Sequence, residues 1–184
     1  MNTDFDRCFH SLMTLEGGYS NDPNDQGGHT KYGISRLAAP ELDIKNLTLD
    51  QAREWYRENY WIPLYCSFIS DGRICFELFE SAVNFDPPKF PKRATSIAQG
   101  ALILLGGHTG PPLQIKFDGT MGPQTVKALN GFVDIRALLK LMNGLQLAAL
   151  LVGSKGADEF IALVKDRKPV LQRYLKGWLK RVEM

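Results

Sequence analysis

The stretch at residues 15–34 reads LEGGYSNDPNDQGGHTKYGI and separates an apolar helical pattern from the rest of the chain. Two glycines follow Glu16, and a turn-forming Asp-Pro-Asn-Asp run at residues 22–25 comes next. A second pair of glycines then precedes a polar and aromatic end. This composition is typical of a tightly turned loop that presents polar side chains to a ligand.

The segment before this loop predicts a helix that ends at Glu16. Gly17 supplies the left-handed turn with which many helices end. Glu16 is therefore expected at the negative end of a helix dipole and beside an apolar stripe, and both features raise the pKa of a carboxyl group. A carboxylic acid that stays protonated near neutral pH meets the requirement of a general acid. The stripe consists of residues spaced by three and four: Phe5, Cys8, Phe9, Leu12, Met13 and Leu15.

Two further acids lie in the turn itself, where they can fold back toward Glu16. Asp22 and Asp25 stand in a wet, polar loop, so their environment differs from that of Glu16. A pair of carboxyl groups whose environments push their pKa values apart is typical of glycoside hydrolysis. The residues alone leave a plain alternative open, in which Glu16 is solvated and the aspartates only shape the turn.

Residues 16–35 resemble the signature of glycoside hydrolase family 108, the N-acetylmuramidases of phage endolysins and of bacterial secreted or prophage lysozymes. The resemblance implies an all-α, lysozyme-like fold with at most a small hairpin between residues 17 and 35, and two helical lobes that form a cleft. It implies that Glu16 is the general acid and that Asp25 and Thr30 assist it. Glu16 and Asp25 have the nine-residue spacing of phage-type lysozymes, and Thr30 lies one residue short of the matching position.

The same resemblance suggests residues that contact the substrate. Tyr60 and Trp61 leave the second predicted helix where the family commonly has Tyr-Trp, and they are expected to offer a sugar-binding face. Asn84 matches an asparagine near the cleft of the family, although a helix C-cap explains it equally well. The expected contacts within the first loop are Tyr19, Asp22, His29 and Tyr32.

The remaining helices follow from capping and periodicity. Thr48 and Gln51 form a predicted capping box, and the apolar stripe from Ile74 to Val83 predicts a central buried helix. The proline-rich stretch at 87–91 is the best candidate boundary. It divides the chain into a catalytic, lysozyme-like region at 1–90 and a helical region at 91–184, expected to pack on the first.

The second region carries one recognisable motif. Asp118-Gly119 followed by Gly122-Pro123 resembles the turn of small helical peptidoglycan-binding modules. Turn formation and the start of a helix at Pro123 explain the same residues without a ligand. Beyond it, the basic residues between 165 and 181 are read as a solvated face, with a surface for the cell wall or membrane as the alternative.

Composition and charge restrict the partners. The chain has 184 residues, a net charge of +2 and three cysteines without metal-ligand spacing. The charge is too small to indicate nucleic acid, and no apolar run is long enough to span a membrane. The cysteine pattern favours synthesis in a reducing compartment. No signal peptide is visible. The family resemblance then implies release through a phage holin or a dedicated exporter, with action in the periplasm or cell wall.

Together these features predict a peptidoglycan hydrolase that cleaves the β-1,4 bond between N-acetylmuramic acid and N-acetylglucosamine, without metal or cofactor. Inversion is favoured by the resemblance to phage-type lysozymes. One alternative is a non-catalytic wall-binding or secretion-accessory protein with the same fold. Another is a lytic transglycosylase, which would leave an anhydro sugar product.

Overall fold

The computed structural model describes residues 3–15, 29–106 and 115–147. Within these ranges the chain is mainly helical and carries one antiparallel hairpin of two short strands, β1 (Thr30–Lys31) and β2 (Ile34–Ser35). This architecture confirms the predicted all-α class with a small hairpin. The longer helices are α1 (Thr3–Leu15), α2 (Leu49–Tyr56), α3 (Gly72–Phe85), α4 (Lys92–Leu105), α5 (Pro123–Asn130) and α6 (135–147).

In the predicted apolar stripe of α1, Phe5, Cys8, Phe9 and Leu12 are buried and Met13 is partly buried, and the helix packs on α3. The Phe5 ring lies 5.3 Å from the Trp61 ring and 6.0 Å from the Phe79 ring, measured between centroids. On the outer side of α1, Arg53 of α2 donates a hydrogen bond from Nε to Asp6 Oδ1 at 2.7 Å. The N-terminal half of α1 is therefore held by both core packing and a polar link to α2.

Helix α2 begins as predicted, because Thr48 and Gln51 form a complete capping box. It continues into a π-helical segment, Arg57–Trp61, and the helical turns end before Pro63. The Asn59 amide donates to the Trp55 carbonyl oxygen at 2.8 Å, which satisfies a backbone acceptor in the widened turn. Consecutive residues 59–61 are all buried in this segment.

The most enclosed helix is α4, whereas the sequence predicts that α3 is the central one. Every residue from 94 to 102 on α4 is buried. Its small side chains, including Ala98 and Ala101, allow α3 to approach closely. Helices α3 and α4 lie on either side of the predicted boundary at 87–91, and their buried residues belong to one hydrophobic cluster. The division at residue 90 stays a prediction.

The start of α4 explains the role of Asp86. The N-cap position is Pro91, which offers no side-chain cap. Asp86, just after α3, supplies one from a distance: its carboxylate accepts from the backbone N–H of Arg93 at 2.8 Å and of Ala94 at 2.9 Å. Asp86 therefore joins α3 to α4.

All three cysteines, Cys8, Cys66 and Cys75, are buried and free. Burial raises the pKa of the Cys8 thiol to about 12, and the Cys75 thiol donates to the Cys66 carbonyl oxygen at 3.4 Å. They act as small core residues. In the part of the chain that the structure describes, no helix is long and apolar enough to cross a bilayer.

Candidate active site

The hairpin fixes the C-terminal end of the predicted catalytic loop. Thr30 pairs with Ser35, and the turn between them places Tyr32 and Gly33 at φ values of 54° and 75°. Glycine adopts a positive φ without strain. Tyr32 does so less readily, and contacts with neighbouring residues hold it in this conformation. The Tyr56 hydroxyl donates to the Tyr32 carbonyl oxygen at 3.0 Å, and the hairpin is thereby tied to α2.

The N-terminal end of the loop is the last residue of α1, Leu15. Glu16, Tyr19, Asp22 and Asp25 lie outside the described residues, and their predicted roles stay predictions. Both elements that flank this loop are anchored, α1 through its buried face and the hairpin through Tyr56. The described part of the candidate site therefore consists of the two elements that flank the loop, α1 and the hairpin.

Three predicted site residues lie on or beside the hairpin. His29 lines a pocket of about 380 Å³ together with Arg36, Leu42, Asp43, Ile44 and Lys45. Arg36 also donates its backbone N–H to the His29 carbonyl oxygen at 2.9 Å. Thr30 and Tyr32 are half-buried, and the Lys31 ammonium lies 5.5 Å from the centroid of the Tyr32 ring. This pocket lies next to the predicted catalytic loop.

The expectation that Tyr60 and Trp61 form a sugar-binding face is not met. Their exposed fractions are 5% and 1%, because the π-helical turn directs both rings into the core. The Trp61 indole N–H donates to Ser67 Oγ at 3.0 Å. The Tyr60 hydroxyl donates to the Asp86 carbonyl oxygen at 3.3 Å, and burial raises the pKa of Tyr60 to about 12. Both residues support the fold.

Asn84 is exposed in the last turn of α3 and is not its C-cap, since the helix extends to Phe85 and the cap is Asp86. The cap interpretation of Asn84 is therefore wrong. Because its side chain is exposed, it is accessible to a substrate, and the predicted substrate contact stays a prediction.

A residue that the sequence interpretation missed is Glu77 of α3. Its side chain is 8% exposed, and its Oε1 accepts no hydrogen bond from the described residues. Desolvation and the nearby Glu80 carboxylate raise the pKa of Glu77 to about 7, while a hydrogen bond from Asn143 of α6 opposes the shift. Glu77 lines a groove of about 540 Å³ between α1, α3 and α6.

The signal for Glu77 was present in the sequence. Relative to Ile74, the positions three, four, seven and eight residues on belong to one helical face. Leu78 and Ala82 fill two of these positions, whereas Glu77 and Ser81 put polar groups on the same buried face. A carboxylate in an apolar stripe is the feature that would have identified it.

The Asp118–Gly119 turn is explained by contacts inside the protein. Gln99 of α4, 1% exposed, accepts from the backbone N–H of Asp118 at 3.1 Å and of Gly119 at 2.9 Å. Its amide nitrogen donates to Asp118 Oδ1 at 3.0 Å. Helix α5 then begins at Pro123, as predicted. Whether this region also binds the cell wall stays a prediction.

Comparison with known proteins agrees with this arrangement. Residues 9–85 match the model of the family described as Glycosyl hydrolase 108. The fold is similar to that in the structure of Brucella abortus SagA, with a TM-score of 0.64 and 22% sequence identity over 92% of this chain and 95% of that one. No curated protein matches the sequence.

The matched segment contains the end of α1, the predicted catalytic loop, the hairpin, α2 and α3. The match supports a glycoside hydrolase, and the architecture is mainly helical and lysozyme-like. The segment at residues 9–85 is thus similar to glycosyl hydrolase family 108, and at the level of that family the substrate is peptidoglycan.

Proposed function

We propose that this protein is an N-acetylmuramidase that hydrolyses the β-1,4 bond between N-acetylmuramic acid and N-acetylglucosamine, with Glu16 as general acid. The observation that carries the proposal is the family match over residues 9–85, which spans the complete loop from Glu16 to Thr30. The substrate puts the site of action in the bacterial cell wall.

The described structure supports the proposal because both elements that flank the loop, α1 and the hairpin, are anchored. Glu16 directly follows the last residue of α1, where the backbone carbonyls of a helix carry negative partial charge. A general acid must be held within hydrogen-bonding reach of the leaving oxygen. Buried packing of α1 and the bond from Tyr56 to the Tyr32 carbonyl provide two fixed points for that purpose.

In the proposed mechanism, Glu16 protonates the glycosidic oxygen as the bond to the anomeric carbon breaks. Asp25, assisted by Thr30, positions the attacking water or stabilises the positive charge that develops on the sugar. Thr30 is well suited to a fixed role because it belongs to β1 and pairs with Ser35. We favour inversion, which requires roughly 6.5–9.5 Å between the two carboxyl groups.

The remaining proposed contacts are with the glycan. His29 and Tyr32 flank the loop on the hairpin side, Tyr19 and Asp22 belong to the loop itself, and Asn84 is exposed at the end of α3. The half-buried Tyr32 ring offers an apolar surface for a sugar, and the His29 pocket offers polar groups beside it.

The proposal is tested by turnover of purified peptidoglycan by the wild type and the Glu16→Gln variant. Glutamine keeps the shape of the side chain but cannot donate the proton, so the rate should fall by about 100- to 10,000-fold. Glu58→Gln is the matched control, because Glu58 is an exposed glutamate of the same family segment. Its rate should stay within twofold of the wild type. Full turnover by Glu16→Gln would refute the assignment.

A further inference from the structure

The groove that Glu77 lines has walls from three helices. Asp4, Arg7, Cys8 and Ser11 come from α1, and Leu139 and Asn143 from α6. The start of α3 supplies the remaining wall with Asp71, Gly72, Arg73, Phe76 and Glu77. A volume of about 540 Å³ lies within the range of roughly 300–1,000 Å³ found for small-molecule sites.

Charges at the rim of the groove are already paired with each other. Arg7 forms an ion pair with Asp4, and Arg73 forms one with Asp71 at 2.7 Å. A cationic ligand would meet two arginines, and an anionic ligand would meet the carboxylates beside them. This arrangement favours an uncharged ligand.

The floor of the groove combines apolar surface with one unused hydrogen-bond acceptor. Phe76 and Leu139 are partly buried hydrophobic residues packed against the core. The lining also includes Glu77, whose Oε1 has no partner among the described residues, and the exposed Asn143. A buried acceptor without a partner destabilises the folded protein, and a ligand that donates a hydrogen bond to it removes this penalty.

We propose that this groove binds an N-acetylated amino sugar, whose N–H or hydroxyl group donates to Glu77 Oε1 while its methyl group and ring face lie on Phe76 and Leu139. The Asn143 amide can donate to the acetyl carbonyl oxygen. The choice of ligand rests on the proposed function, since the glycan strands of peptidoglycan consist of such sugars. The groove would add a glycan contact along the N-terminal half of α1, which the family signature does not include.

The test is a titration of the full-length Glu16→Gln protein with chitotriose, the trimer of N-acetylglucosamine, followed by amide chemical shifts. Shifts are expected in residues 7–11, 71–77 and 139–143. Cellotriose has the same backbone with hydroxyls in place of the acetamido groups, and we expect its affinity to be at least tenfold weaker.

Two variants and one control locate the contact. Glu77→Leu should raise the dissociation constant at least tenfold. Asn143→Ala should raise it about threefold. Glu58→Gln is the control, because Glu58 is exposed and is not part of the groove lining. Its dissociation constant should stay within twofold of the parent.

Several results would overturn the inference: shifts confined to other residues, equal affinity for cellotriose, or unchanged binding by both Glu77→Leu and Asn143→Ala. Shifts of the same residues that depend on protein concentration and not on sugar would instead assign the groove to a second copy of the chain. Because the assay measures binding without turnover, its outcome is independent of whether the wild type cleaves peptidoglycan.

Discussion

Two buried polar side chains on neighbouring helices, Gln99 on α4 and Glu77 on α3, differ in how their polar atoms are used. Both ends of the Gln99 amide are paired, with two backbone N–H groups and with acceptors that include Asp118 Oδ1. Glu77 keeps one oxygen without a partner among the described residues and faces a groove. The first side chain stabilises a turn, and the second is available for a ligand.

The difference shows how a resemblance to a functional motif can be weighed. The Asp118–Gly119 turn resembles a wall-binding module, yet its conformation follows from Gln99 and from close packing on α4. Such contacts account for the motif without a ligand. Glu77 belongs to no motif. Its buried environment destabilises a charged carboxylate unless a partner compensates for the lost hydration.

The largest expected effect is the loss of stability in Gln99→Leu. The substitution leaves the backbone N–H groups of Asp118 and Gly119 without their acceptor, and the free energy of unfolding should fall by about 4 kcal/mol. Urea denaturation measures it. Gln124→Ala, at an exposed position of α5, is the control and should change stability by less than about 0.5 kcal/mol. An equally small effect of Gln99→Leu would contradict the assigned role.

The next effect concerns the pH dependence of stability through Glu77. Its pKa is raised from 4.5 to about 7 in the folded protein, so the folded state binds the proton more tightly than the unfolded chain. The resulting stability is present below pH 4.5 and is lost as the pH rises to about 7, with a total change of up to about 3 kcal/mol.

Glu77→Gln removes this pH dependence. The variant should match the wild type near pH 4 and be more stable above pH 7, as measured by thermal unfolding across the range. The charged groups around Glu77 are Glu80 and, along the groove, Asp4, Arg7, Asp71 and Arg73. Glu58→Gln, at an exposed site, should retain the wild-type profile. Parallel profiles for Glu77→Gln and wild type would show that Glu77 titrates normally.

A smaller loss is expected for Gly119→Ala. Gly119 has a φ of 69°, and an added Cβ would lie 2.6 Å from Lys92 Cγ and 2.9 Å from both the Lys92 carbonyl oxygen and Ser96 Oγ. Strain and repacking should cost about 2 kcal/mol. Gly122→Ala is the matched control, because its Cβ would meet no atom within 4 Å. Equal stability of the two variants would show that the turn is not tightly packed on α4.

The smallest effect separates core from sugar contact at Tyr60. Tyr60→Phe removes a hydroxyl that donates at 3.3 Å to the Asp86 carbonyl oxygen, and about 1 kcal/mol of stability should be lost. Peptidoglycan turnover should stay within twofold of the wild type, since the ring is buried. A tenfold loss of turnover in a folded variant would return Tyr60 to the substrate-binding residues.

Much of the fold could be predicted from local signals. The α1 stripe, the capping box at Thr48 and Gln51, and the start of α5 at Pro123 each depend on a few neighbouring residues. The burial of Tyr60 and Trp61 could not be read in this way, because it depends on a π-helical turn. The enclosure of α4 was also missed, since its small residues are buried by what packs around them.

The candidate site likewise combines residues that the local sequence identified with residues whose roles depend on tertiary contacts. The signature at residues 16–35 identified the family segment, which a match over residues 9–85 supports. Glu77 was missed although its carboxylate interrupts the α3 stripe, whereas the groove that it lines depends on α1 and α6, which approach it only in three dimensions. The role of Asp86 was likewise missed, because its carboxylate caps α4 across the intervening turn.

The most direct test of the muramidase assignment is mass analysis of the soluble products that the wild type releases from purified peptidoglycan. We predict fragments with reducing N-acetylmuramic acid ends, and none from Glu16→Gln. Anhydro-muramic acid ends would contradict hydrolysis and identify a lytic transglycosylase. No release by either protein, with both sedimenting with the cell wall, would contradict catalysis and identify a wall-binding protein.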